Sequence, residues 1–417
     1  MKYTVITFGC RVNHADSLAI EEQLMAAGGA PGPVSEADLV VVNSCSVTGA
    51  ADQGTRQIIR KIARDRPTAR IVVTGCYASR AAGELAALPG VVQIVPNDRK
   101  ESLAQEVGLT TAERFGEGDG ACGAQIGPGL AERTAFTLRV QTGCDQSCSF
   151  CIIPSTRGKG RSAPMAHVLA EIARLQCAGY REVAITGVHL GSYGRDLDDG
   201  SSLLGLLTAI ALKASDTRFR ISSLEPMDCS DDIVDLVAKE ACFAPHLHLP
   251  LQHASDRMLT AMRRPYTIGY FRRLALHVRA TMPHAALGSD VVVGFPGETD
   301  EDFEELHEYL EQSPLTHVHV FPYSDRPGTT ASLLPGKVHG AVVRERARRL
   351  REVGSELTRR FHRGQLNSIR PALTIEDGSL VVTDNYLKLR VPEGLPRNVP
   401  VRVAVGLDGE RLVGQIV

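Results

Sequence analysis

The chain has 417 residues, 43% hydrophobic and 23% charged, with a formal net charge of −2. That size allows two or three domains with real cores, and no run approaches the roughly 18 apolar residues of a membrane helix. The near-neutral balance leaves nucleic-acid binding to local basic patches, and the absence of Trp with only 5% aromatics argues against a stacking platform for long single strands. The opening "MKYTVITFGC" reads as a strand, without the length or cleavage site of a signal peptide, which points to the cytoplasm and no membrane. From there, "KYTVITFGC", "ADLVVVNSC", "ARIVVTGC" and "VVQIVP" alternate with the amphipathic segments "ADSLAIEEQLMAAG" and "ADQGTRQIIRKIARDR". Short apolar runs separated by helices predict an open parallel sheet with right-handed crossovers over 1–108.

Residues 109–132 are Gly-rich and aperiodic and read as a linker. The alternation resumes with six strand candidates, "FTLRV", "EVAITG", "FRISS", "HLHLPL", "LGSDVVVG" and "HVHVFPY", and helices such as "MAHVLAEIARLQCAG" and "DEDFEELHEYLEQ" between them. Six β/α units over 133–338 fit a partial (β/α)6 barrel, with chemistry at the C-terminal strand ends; an open doubly wound sheet is the alternative. Residues 339–363 form a helical linker with eight Arg against three Glu. The last segment, 364–417, breaks into short runs punctuated by Gly, Pro and Asn and reads as a small antiparallel β-barrel or sandwich. The expected fold class is therefore α/β with a small all-β appendix.

Ten cysteines in a reducing compartment indicate metal or redox use rather than disulfides. Cys10, Cys45 and Cys76 each directly follow an apolar strand, so a parallel sheet brings all three to one edge. Gly9 and Gly75, next to two of them, permit close backbone approach to a bulky centre. Cys144, Cys148 and Cys151 form a C-x3-C-x2-C run after the first strand of the second unit. A closed structural zinc site takes four ligands, and the nearest Cys downstream of Cys151 is Cys177. Three thiolates on a cubane iron–sulfur cluster leave one iron open.

The C-x3-C-x2-C run at that place resembles the radical S-adenosylmethionine (SAM) enzymes. The resemblance implies a [4Fe–4S] cluster on Cys144, Cys148 and Cys151, the catalytic centre, whose open iron is chelated by SAM and which generates a hydrogen-abstracting radical. The three-cysteine first unit, the central barrel and the final β-domain together resemble the methylthiotransferases over nearly the whole chain. That family implies a second, auxiliary [4Fe–4S] cluster on Cys10, Cys45 and Cys76, a sulfur donor and a reducing electron-donor system. "GCRVNHADS", "NSCSVT", "TGCY", "QTGCDQSCSFCIIPSTRGKGRS", "TGVHLGSYG", "SSLEP" and "FPYS" are most similar to the type acting on carbon 2 of N6-threonylcarbamoyladenosine in tRNA. "PLQHASDRMLTAMRRP" also resembles the type that modifies an aspartate of a ribosomal protein, which stands as the alternative substrate. The last segment resembles a TRAM-like RNA-binding barrel.

Around the radical centre, Gly187 and His189 of "TGVHLGSYG" and Glu225 of "SSLEP" stand at strand ends as candidates to bind SAM. Gly294 and Gly297 are placed to let adenine lie on the backbone, or are plain turn formers. Arg157, Lys159, Arg161, Arg263 and Arg264 are candidate contacts to RNA phosphates, and the Arg-rich segment 344–363 is the largest patch; a solvated helix face reads it equally well. His189, His246, His248 and His253 suggest a competing barrel hydrolase with a His-bound metal, which leaves the six phased cysteines without purpose. A zinc-containing RNA-binding protein without catalysis is the remaining class. Cys122, Cys177, Cys229 and Cys242 lack ligand spacing and read as structural.

Overall fold

In the computed structural model, residues 1–109, 126–130, 133–392, 394–409 and 411–417 are described; Cys122 and most of the expected linker lie outside them. The first unit is a parallel sheet of β1 (Lys2–Thr7), β2 (Ala30–Pro31), β3 (Leu39–Ser44), β4 (Arg70–Gly75) and β5 (Val91–Val95), in the order β2-β1-β3-β4-β5. β3 is buried at every position, as a central strand covered on both faces must be. Helix Arg11–Ala26 starts directly after Cys10 and precedes the expected 15–28 by four residues. Helix Gly49–Asp65 is capped by the Thr48 hydroxyl, which accepts the Ala51 N–H.

The central unit carries the six expected parallel strands: β6 (Phe136–Arg139), then, after the two-residue pair β7 (Gln141–Thr142) and β8 (Arg161–Ser162), β9 (Glu182–Thr186), β10 (Arg218–Ile221), β11 (His246–His248), β12 (Ala286–Val293) and β13 (His317–Pro322). They form two three-stranded halves, β6-β9-β10 and β11-β12-β13, joined where Phe219 bridges Phe243. Val183, Ile185, Phe219, Ile221, Leu247, Leu249, Val291 and Val293 belong to one continuous core. The curved sheet is a partial barrel with an open flank. Helix Asp300–Gln312 packs outside it, started by a capping box between Thr299 and Asp302.

Helix Gly340–Gln365 follows the barrel and lies along β13. The chain ends in a closed barrel of β14 (Ile369–Ile375), β15 (Leu380–Thr383), β16 (Lys388–Arg390), β17 (Pro400–Asp408) and β18 (Arg411–Ile416). The expected all-antiparallel pairing needs one correction: β16 meets β18 in parallel, at Arg390 and Val413. A barrel with an odd number of strands cannot alternate direction all the way round, so one seam must be parallel. Among the described residues no helix is long and apolar enough to cross a membrane.

Candidate active site

The register of the first sheet pairs Thr7 with Asn43, Asn43 with Thr74 and Ser44 with Gly75, so the strand ends that carry Cys10, Cys45 and Cys76 coincide. Two glycines make that convergence possible. Gly75 has φ +98°, and a Cβ there would collide with the Ser44 backbone; Gly9 has φ +96°, and a Cβ would lie 2.5 Å from Cys45 Sγ. The three thiols are free, and N–H donors face two of them: Val47 N at 3.5 Å from Cys45 Sγ and Asn97 Nδ2 at 3.7 Å from Cys76 Sγ. Burial, with the neighbouring Cys10 and Cys76 adding to it, pushes the Cys45 thiol up to about 12. A thiol so raised stays protonated in water, and a coordinating metal would displace its proton to solvent.

Cys144, Cys148 and Cys151 occupy the loop between β7 and helix Ile153–Arg157. Arg264 Nη1 donates to Cys148 Sγ at 3.1 Å, and Gln146 N–H to Cys144 Sγ at 3.4 Å. Burial pushes Cys151 up to about 12 as well. Arg264 also pairs with Glu225 and donates to the Tyr266 hydroxyl at 3.2 Å. His189 Nε2 lies 2.7 Å from Asp228 Oδ2; burial opposes its charge, yet Asp228 and Cys144 together raise it to about 9. Among the described residues, the only three such ligands whose atoms all lie within 4.8 Å are His248, His317 and His319. Neither cysteine trio is therefore closed round a single ion, while free thiols with N–H donors suit a cluster.

The two trios stand on adjoining surfaces. Helix Cys76–Arg80 packs against helix Ile153–Arg157, and Asn97 Nδ2 also donates to Thr156 O at 2.9 Å. Arg157 reaches across to Asn13 and, at 2.8 Å, to Asp16. A cavity of about 750 Å³ opens on the barrel's free flank. Gly9, Cys10 and Arg11 line one side of it; Gly187, Ser222 and the imidazoles of His246, His248, His317 and His319 line the other, and Tyr386 of the last barrel closes a third.

Residues 138–310 match the model of the radical SAM superfamily, and residues 2–96 match the uncharacterized protein family UPF0004. The threonylcarbamoyladenosine tRNA methylthiotransferase MtaB of Bacillus subtilis is 34% identical over 92% of this chain and 88% of its own. The protein of that name from Aquifex aeolicus is 34% identical over 94% and 96%. This chain belongs to the radical SAM methylthiotransferases. A tRNA-2-methylthio-N(6)-dimethylallyladenosine synthase of Nitratidesulfovibrio vulgaris is also 34% identical, over 86% of this chain and 82% of its own. The radical SAM methyltransferase TsrM of Kitasatospora setae shares the fold, with a TM-score of 0.57 at 17% identity over 80% of this chain and 77% of that one.

Within the methylthiotransferase, several site expectations need correction. Arg157 and Arg264 are buried and held by Asp16 and Glu225, so neither can hold an RNA phosphate. A guanidinium in a low-dielectric interior requires its carboxylate, and here each keeps it. Lys159, Arg161 and Arg263 are exposed. Gly294 does not offer open backbone: a Cβ there would lie 2.5 Å from Val343 of the long helix. Gly187 makes room for Gln141, whose Oε1 accepts the His189 N–H. Of these three candidate glycines, only Gly297 has free space on its Cβ side.

Most of the Arg-rich helix is also spoken for. Arg346 pairs with Glu298 and Asp300, Arg349 with Glu304, Arg348 with Glu345 and Glu352, and Arg359 and Arg363 with Glu356. The helix is a strut riveted to the barrel. The four histidines of the competing hydrolase do not gather: His189 stands by Cys144, and His253 is buried with its Nδ1 accepting the Ser255 N–H. Cys229 is a core residue, Cys242 is half-buried, and Cys177 is exposed.

The sequence reading missed Arg11, Asp16, Lys100, Asp228, His317 and His319. The last two had a signal, since "HVH" repeats the spacing of "HLH" two strands earlier.

Proposed function

We propose that this methylthiotransferase adds a methylthio group to carbon 2 of N6-threonylcarbamoyladenosine beside the tRNA anticodon. Cys144, Cys148 and Cys151 would hold the SAM-binding [4Fe–4S] cluster, and Cys10, Cys45 and Cys76 the auxiliary one. The observation that carries the reading is a cavity of about 750 Å³ with Cys10 on one wall and the strand-end residues Gly187 and Ser222 on the other. Such a volume takes one base and its substituent, brought out of the stack. When bound, the clusters and SAM supply a hydrogen-abstracting radical and a carrier for sulfur.

The chain's own residues orient and enclose. Arg264 ties the Cys148 loop to Glu225, and His189 with Asp228 steadies the Cys144 side. Asp16 locks the helix that follows Cys10 to the helix that follows Cys151 through Arg157. The surrounding core and the last barrel limit water at the reacting atoms. Exposed Lys159, Arg161 and Arg263 remain the phosphate contacts of this reading, with the TRAM-like barrel at 364–417 as the further RNA surface. An electron donor and a sulfur donor complete the cytoplasmic system.

The experiment is mass spectrometry of tRNA nucleosides from cells with and without the gene. Loss of a methylthio derivative of threonylcarbamoyladenosine is the expected result. Loss of the dimethylallyladenosine derivative instead would move the substrate, and unchanged tRNA would turn the search to the ribosomal protein.

A further inference from the structure

The five buried arginines of the described chain each sit against a carboxylate: Arg157 on Asp16, Arg220 on Glu182, Arg264 on Glu225, Arg326 on Asp52 and Arg346 on Glu298. Arg11, half-buried on the wall of the cavity beside Cys10, has no such partner. Its contacts are neutral: Nη2 donates to the Tyr386 hydroxyl at 3.1 Å and Nη1 to the Ser222 hydroxyl at 3.5 Å, and the guanidinium lies 5.8 Å from the centre of the Tyr386 ring. Among the described residues it has no carboxylate partner. Burial first, and then neighbouring cations with Arg11 among them, disfavour the protonated forms of His14, His246 and His317. The carboxylate that lines this cavity, Asp290, stands beside His248 on the far side and is engaged by its Nε2 at 3.0 Å.

A half-buried cation facing a cavity with no carboxylate partner is a cost that a ligand anion can offset. We infer that Arg11, together with the Tyr386 hydroxyl, is the subsite for the carboxylate at the far end of the substrate's N6 substituent. This rests on the tRNA reading above. A threonylcarbamoyl group joins threonine through its amine, so the threonine carboxylate is left free and ionised at neutral pH. The guanidinium can take both its oxygens in a forked, charge-assisted pair. A dimethylallyl group is uncharged and gives Arg11 nothing, so the same residue separates the two classes of modified adenosine. A tRNA phosphate has the right charge but belongs to a backbone that stays outside a base-sized pocket.

The test compares three anticodon stem-loop RNAs on the cluster-loaded enzyme. One carries threonylcarbamoyladenosine, one its threoninamide analogue with the carboxylate replaced by a carboxamide, and one plain adenosine. Wild-type enzyme should bind the carboxylate RNA on the order of 10- to 100-fold more tightly than the carboxamide RNA. Arg11→Gln should collapse that ratio toward one by weakening only the carboxylate RNA, with KM raised, kcat within a few-fold and iron content unchanged. Arg11→Lys should restore part of the ratio.

Two outcomes overturn the subsite: equal affinity of wild type for carboxylate and carboxamide, or a loss in Arg11→Gln that is the same for all three RNAs, as a phosphate contact or a folding defect gives. The first needs no variant at all. Failure of the underlying reading shows differently, as wild-type enzyme that makes no methylthio product from the threonylcarbamoyl RNA.

Discussion

Asp16 has no exposed side-chain surface, yet three cations converge on it: Lys100 at 2.9 Å, Arg157 at 2.8 Å, and Arg139. Burial opposes its ionisation, but the three partners outweigh burial and hold the carboxyl well below the usual carboxylate range. Removing one member of such a buried set strands the others. Asp16→Ala should therefore cost about 3–5 kcal/mol, seen as a lower denaturant midpoint with unchanged slope. A midpoint within error of wild type would show that water replaces the carboxylate.

His253 sets a pH limit. Its Nδ1 accepts the Ser255 N–H at 3.0 Å, which fixes the neutral ring, and burial holds its pKa down to about 4 while Arg257 and Arg346 oppose its charge and Asp302 favours it. The folded form thus binds fewer protons than the unfolded chain between the ordinary histidine value and about 4. The stability it contributes is present above pH 6.5 and is lost as pH falls through that window. Unfolding midpoints at pH 7 and pH 5 should differ, and His253→Leu should narrow the gap; an unchanged gap would assign the acid sensitivity to other groups.

At the scale of elements, the strand–turn–helix joints decide where the thiols stand. Gly75 adopts φ +98°, and its missing side chain is what lets β4 pass the Ser44 backbone just before Cys76. On the two-cluster reading, Gly75→Ala should displace Cys76 and release roughly half the iron, while the signal of the SAM-binding cluster persists. Cys10→Ala should do the same, and Cys144→Ala should spare the complementary half. Iron measured by mass spectrometry checks all three variants, and loss of all iron from any one of them would contradict independent sites.

These joints were legible from the sequence because each cysteine directly follows an apolar strand, and parallel strands end together. The Arg-rich helix was legible as a helix but not as a strut. Its partners Glu298, Asp300 and Glu304 lie in a different helix and its preceding turn, so their pairing depends on how the elements pack.

Across the whole molecule, charged clamps join the three units. Asp52 of the first sheet's second helix holds Arg80 at 2.8 Å within its own unit and Arg326 at 2.6 Å from the loop after β13. Arg220 of β10 pairs with Glu182, donates to the Asp384 carbonyl at 3.1 Å and lies 4.8 Å from the Tyr386 ring centre. Asp52→Asn should leave both cysteine trios loaded yet loosen the first unit from the barrel. Faster limited proteolysis, with iron unchanged, is the expected result; an unaltered cleavage rate would show that the other contacts, the Asp16–Arg157 pair among them, carry the junction.

By itself the sequence determined the order of elements, the six cysteines and their two edges, because apolar periodicity and strand-end position are local properties of the chain. It also carried the expectation that three thiols per set leave a coordination site open, since that is a matter of counting ligands. Tertiary structure alone decided which cations are free. Arg157, Arg264 and Arg11 look alike in one dimension, and only packing shows two of them closed on Asp16 and Glu225 and the third facing an open cavity. The pairing of charges is a long-range event set by how domains meet, and no short window of sequence contains both partners.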